Sequence, residues 1–227
     1  MNKEVFSGGQ EDKNNASSEG SLVPSESRIE SILVPEIDDL IKILSRPAGA
    51  LTGEELDDSI RKRQEAVDRH LFRGGPEILT LLFERIKQIE AKQKQPIKID
   101  LSMIEMSGKI LSGLYLPAAN LRRLIFTGSD LTGSNLQGAN LTEAIAGGAI
   151  LRGVTATAAN FNSAVIPDAD LSGGIFIGCS FINAHMENVR VDDHTNFAGC
   201  RFIGTYLGDT DLSIANTVGS VFRGIRR

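Results

Sequence analysis

The sequence predicts an all-β repeat solenoid preceded by a small α-helical region, and three observations carry that reading. From residue 97 onward a large apolar residue returns at every fifth position. Two positions before most of these, a small residue returns in register. The composition agrees: 23 Gly, no Trp and 5% aromatic residues suit a core of stacked small side chains better than an ordinary mixed core.

In chain order, residues 1–27 come first and are polar, with Ser7, Ser17, Ser18, Ser21, Ser25 and Ser27 among Gly, Asn and Glu. They offer too little apolar surface to offset the entropy of ordering, so this leader is expected to be disordered. Residues 28–96 turn helical in period. Ile37, Leu40, Ile41 and Leu44 line one face of a first helix that Arg46-Pro47 should end. Thr52 and Glu55 have capping-box spacing ahead of a second stripe, Leu56, Ile60, Val67 and Leu71. Pro76 suits the first position of a third helix, with Ile78, Leu79, Leu82, Ile86 and Ile89 at helical spacing up to Pro96.

After Pro96 the period is five. Large apolar centres stand at Leu101, Met106, Leu111, Leu116, Leu121, Phe126, Leu131, Leu136, Leu141, Leu151, Phe161, Ile166, Leu171, Phe176, Phe181, Met186 and Val191, with Ala146 and Ala156 undersized. One residue is inserted before the count resumes at Phe197, Phe202, Leu207, Leu212, Thr217 and Phe222. An α-helix turns by about 100° per residue and would scatter such centres around its surface. A coil with one flat side per five residues keeps them together: the centre and the residue two before it point inward, and the others point out. The small inward set includes Ala119, Ser129, Ser134, Ala139, Ala144, Ala159, Cys179, Thr195 and Cys200.

The segments SDLTG at 129–133, SNLQG at 134–138, ANLTE at 139–143, ANFNS at 159–163 and ADLSG at 169–173 resemble the pentapeptide-repeat family, whose consensus is A(D/N)LXX. The resemblance spans roughly residues 97–227. It implies a right-handed quadrilateral β-helix with four pentapeptides per turn. Twenty-five centres then make about six coils, a rod on the order of 30 Å long. At the start, Ile99, Ile104, Lys109, Leu114 and Leu124 replace the small residue. The first coils are therefore expected to be distorted or packed against the preceding helices.

Solenoid ends need caps, and the helix over 76–94 is the natural one at the N-terminal side. Little follows Phe222, so an end-to-end homodimer through the C-terminal coil is an expectation for the other side. With twenty residues per coil, outward residues stack into ladders. Asn120, Asn140, Asn160, Ser180 and Arg201 form one, which amide hydrogen bonds to adjacent turns would explain. Ile125, Ile145, Val165, His185 and Tyr206 form the next. Three β-branched apolar residues in a row on an outward side mark either a partner-binding patch or a surface covered by the chain's own helices.

Charge narrows the functional classes. Residues 1–96 carry 14 basic and 18 acidic residues and residues 97–227 carry 10 and 11, so neither part is a basic funnel for nucleic acid. No apolar run is long enough for a transmembrane segment, and the N-terminus lacks a secretory apolar stretch, which points to a cytoplasmic protein or a Sec-independent export route. Cys179 and Cys200 sit one coil apart, within reach of a disulfide, at positions where small inward residues are expected. Asp192, Asp193 and His194, with His185 upstream, offer metal-ligand chemistry, and a solvated bulge explains them equally. No GxSxG, HExxH or phosphate loop is present, so no enzyme activity, metal or cofactor is expected.

The leading functional expectation is a non-enzymatic protein-protein interaction module. Relatives in the resembled family include bacterial effectors delivered to host cells, with a polar leader, a helical region and then repeats. The alternative is a cytoplasmic DNA-mimic regulator of DNA gyrase, for which the near-balanced repeats lack a negative field.

Overall fold

The computed structural model describes residues 37–45, 51, 53–71, 76–94 and 97–227; the leader of residues 1–27 lies outside these. One repeat shows how the sequence makes the coil. In 139–143, Ala139 and Leu141 are fully buried. Between them Asn140 points out, its N–H donating to the Ala119 carbonyl of the preceding coil at 2.9 Å and its own carbonyl accepting from Leu121 at 2.8 Å. Glu143 has φ +60°, and the Ala144 N–H closes the turn on the Leu141 carbonyl at 3.0 Å. Positive φ at the third residue of such a turn is why Gly recurs there, as at Gly133 and Gly138.

The Asn position has a different role from inter-turn amide bonding. Asn120, Asn140 and Asn160 each accept, through Oδ1, the N–H two residues ahead in the same coil, at 3.3, 3.1 and 3.0 Å. That N–H opens the turn and has no backbone acceptor, so the nearest carboxamide takes it. Asp130, Asn135, Asp170 and Asn216 do the same, which accounts for Asp or Asn at this place in the repeat.

Parallel bridges join Asp100, Asn120, Asn140, Asn160, Ser180 and Arg201 in turn, and the short strands β1 (Arg201–Ile203) and β2 (Val221–Arg223) continue the ladder. Three further ladders start at Glu105, Ile110 and Tyr115, so twenty residues make four sides. The inserted residue shifts one step to twenty-one, pairing Ile175 with Asn196. A corner absorbs it: Asp192 Oδ1 accepts from the Gly173 N–H at 2.8 Å and from Thr195 Oγ1 at 2.8 Å, and the ladders resume below.

Inside, Leu121, Phe126, Leu131, Leu136, Leu141, Leu151, Phe161, Leu171, Phe176, Phe181, Phe197, Phe202, Leu207 and Leu212 are buried. Phenylalanines stack down one inner corner, Phe161 on Phe181 on Phe202 on Phe222, with centroids 5.0, 5.1 and 4.8 Å apart. Phe222 is 43% exposed.

The helices are α1 (37–44), α2 (Glu54–Ala66), continued by a π-helical turn over Val67–Leu71, and α3 (Pro76–Gln93). Gly53 is the N-cap of α2 and no side chain caps it, which corrects the capping box expected at Thr52 and Glu55; Thr52 itself lies outside the described residues. Leu40, Leu44, Val67, Leu82 and Ile86 share one apolar cluster with Ile99, Ile104 and Leu114. The bulky residues of the first coils thus pack against the helices while their bridges stay regular.

The cap is shared among three helices, a correction to the expectation of one. In later coils the bridging residue gives its N–H to, and takes an N–H from, the coil before. For Asp100 the acceptor is the Leu44 carbonyl at the end of α1, 2.6 Å away, and Arg63 Nη1 donates to its carbonyl at 3.2 Å and to Oδ1 at 2.5 Å. For Glu105 both partners come from one carboxamide: Gln64 Oε1 accepts its N–H at 2.8 Å and Gln64 Nε2 donates to its carbonyl at 3.1 Å. A helix side has no free backbone groups, so a helix end and side chains supply the missing coil. From α3, Glu90 accepts the Ile97 N–H at 2.9 Å and Lys87 lies 5.4 Å from the Tyr115 ring centroid.

Candidate protein interface

The second side of the coil brings Ile125, Ile145, Val165, His185 and Tyr206 into one unbroken ladder of bridges between Glu105 and Arg226. Ile145 is 43% exposed and Val165 38% exposed, whereas Ile125 is half-buried. Below them the His185 and Tyr206 rings meet with centroids 5.7 Å apart. The contacts from α2 to this side are at Glu105, its uppermost row, which leaves Ile145 and Val165 open to solvent.

A second column completes the surface. Two residues after each ladder position come Thr127, Gly147, Pro167, Glu187 and Gly208. A Cβ on Gly147 would stand 3.6 Å from Pro167 Cγ, an ordinary packing distance, so the proline ring lies directly over this position next to Ile145 and Val165. These residues were not singled out from sequence, although the same twenty-residue spacing identifies them. His185 Nδ1 lies 3.3 Å from Glu187 Oε1 at the lower edge.

The other nominated groups serve structure. Cys179 and Cys200 are free and buried, each thiol donating to a core carbonyl, Ala156 and Phe176, at 2.9 Å. Hydrogen bonding with Cys200, together with burial, pushes the Cys179 thiol up and keeps it protonated. Asp192, Asp193 and His194 place ligand atoms within 4.8 Å of one another, but Asp192 is engaged in the corner and His194 Nδ1 pairs with Asp193 at 2.6 Å; His185 belongs to the second side. On the first side Arg123 and Arg122 both reach Glu143 across one coil and hold its carboxyl below the usual carboxylate range. No helix among the described residues is long and apolar enough to cross a membrane.

The model of pentapeptide repeats matches residues 106–138 and 134–173 in eight copies. Residues 106–173 are pentapeptide repeats. Domains of this kind fold as right-handed quadrilateral β-helices. No curated protein matches the chain. Among solved structures, a pentapeptide-repeat protein of the cyanobacterium Cyanothece is 27% identical over 46% of this chain and 66% of its own, with a TM-score of 0.38. The chain thus spans just under two thirds of that protein. QnrB1, a plasmid-mediated fluoroquinolone resistance protein, is 20% identical over 56% of this chain and 74% of its own, at a TM-score of 0.36. A pentapeptide-repeat protein of the Arabidopsis thaliana thylakoid lumen is 22% identical over 53% and 66%, at 0.26.

Proposed function

We propose that this chain is a non-enzymatic protein-protein interaction module whose pentapeptide-repeat domain presents its second side to a protein partner. Pentapeptide-repeat domains are in general non-catalytic scaffolds. The observation that carries the proposal is the exposed aliphatic run, Ile145 at 43% and Val165 at 38%, on a rigid side that the chain's own helices leave open. Solvent-facing β-branched residues held in register in successive coils at Ile145 and Val165 expose adjoining apolar area, and a partner would remove it from water.

In this reading residues 97–227 are the binding module, residues 28–96 its cap, and residues 1–27 a leader for Sec-independent delivery to a host cell. Capture from bacterial and eukaryotic lysates with the native protein and with Ile125→Glu/Ile145→Glu tests the docking surface. A partner lost from a folded variant supports it, and a partner retained by the variant moves the interface elsewhere. Export of a reporter carrying residues 1–30 tests delivery, and retention in the producing cell counts against it. Inhibition of DNA gyrase supercoiling at stoichiometric protein replaces this reading with the DNA-mimic regulator.

A further inference from the structure

Near-balance of charge along the repeats, 10 basic against 11 acidic residues, hides how the coil sorts them. Each side comprises the centres that stack on it and the two residues on either side of each centre. The second side then holds Glu105, Asp168, Glu187 and Asp209 in its first six rows, and its basic residues, Arg226 and Arg227, come only in the seventh, at the far end from Ile145 and Val165. The first side carries Arg122, Arg123, Arg201 and Arg223 against Asp100 and Glu143, the third mixes both signs, and the fourth has no charged residue.

The acids lie beside the aliphatic run. Asp168, Glu187 and Asp209 fall in three successive coils, in the rows of Val165, His185 and Tyr206. Asp168 and Asp209 are exposed and form no ion pair among the described residues. Glu187 faces only His185, and its Oε2 has no hydrogen-bond donor. Like charges stacked row on row repel, and a cation brought beside them relieves that repulsion while its neighbours cover Ile145 and Val165.

We infer that the second side binds a polypeptide segment that combines aliphatic residues with lysine or arginine. The inference rests on the docking reading above and adds the chemistry of the partner. An acidic segment is steered to the first side instead, and a segment without charge gains nothing from the acidic rows.

The test is selection of a phage-displayed library of random twelve-residue peptides on the immobilised full chain, followed by titration of the enriched peptides in solution. Peptides pairing Lys or Arg with Ile, Leu or Val are expected. Their affinity should fall at least tenfold in Ile145→Glu. It should fall about threefold for each of Asp168→Lys and Asp209→Lys at low salt, a difference that disappears near 0.5 M salt, where the Debye length is only about 4 Å. Peptides that lack basic residues, or that ignore both charge reversals yet are lost in Ile145→Glu, overturn the inference and leave the docking reading standing. Binding unaffected by Ile145→Glu, in a variant whose circular dichroism matches the native protein, overturns both. A concentration-dependent dimer that Ile145→Glu abolishes, seen by sedimentation without peptide, makes a second copy the occupant and also overturns the inference.

Discussion

Replacing Phe181 by Ala should be among the most costly single changes in the β-helix. The ring is fully buried. It stacks on Phe161 at 5.0 Å and Phe202 at 5.1 Å, and presents edges to Phe176 at 6.2 Å and Phe197 at 5.9 Å. Truncation removes the buried ring and leaves a cavity that stacked coils cannot close, because each coil is fixed by bridges above and below. Phe→Ala in such a setting costs about 3–5 kcal/mol, and the loss of four ring partners places this case toward the upper end. Phe222 belongs to the same column but is 43% exposed and has one ring partner, Phe202, at 4.8 Å. Phe222→Ala should therefore cost only about 1 kcal/mol. Urea unfolding followed by circular dichroism compares the two variants. Native-state hydrogen exchange locates the loss, which nearest-neighbour coupling should confine to the coils around residues 161–202. A Phe181→Ala cost below about 1.5 kcal/mol, or one equal to that of Phe222→Ala, would refute the argument from ring contacts.

Three further outcomes follow from the packing. Arg63→Met should cost about 3–5 kcal/mol by thermal melting, because it removes the buried guanidinium paired with the buried Asp100 carboxylate, and adding Asp100→Leu should recover part of that loss. Gly174→Ala should cost more than Gly133→Ala. The first Cβ would meet Phe176 Cε2 at 2.3 Å and the Leu171 carbonyl at 2.9 Å, for about 1–3 kcal/mol, whereas the second meets nothing within 4 Å and bears only the cost of its φ of +68°, about 1 kcal/mol. The Arg85 guanidinium, bonded to both oxygens of Asp38, holds that carboxyl below its usual range. A lowered folded value means stabilisation that is complete above about pH 4 and lost as pH falls through the folded value. The α-helical circular dichroism signal should therefore weaken as the pH falls below about 4, and Arg85→Met should flatten that dependence.

Much of the coil was legible because a period of five leaves no freedom over which side chains point inward. Phe181 and Leu141 follow from spacing alone, and so does the alignment of Ile145 over Val165. Hydrogen bonds that depend on local turn geometry were less legible. The Asn140 carboxamide serves the N–H two residues ahead because the turn brings that group closest, and spacing carries no such information. Gln64 and Arg63 were invisible for another reason. On a helix they read as solvated polar residues, and only the placement of α2 over the open edge shows that one carboxamide replaces a peptide group. The sorting of charge by side was hidden as well, since totals average over four directions that the fold separates.

Ring stacks in the core repeat every 4.8–5.2 Å, and the outer rows share that step. An α-helix laid along the second side advances about 5.4 Å per turn against rows about 4.8 Å apart, a drift of about 0.6 Å per turn. After four turns the two scales differ by about 2.4 Å, half a row, and side chains that began in line then fall between rows. The β-helix thus acts as a vernier. It accepts a helix in register over the span from Ile125 to His185, about ten helical residues, and penalises a longer one by pitch alone.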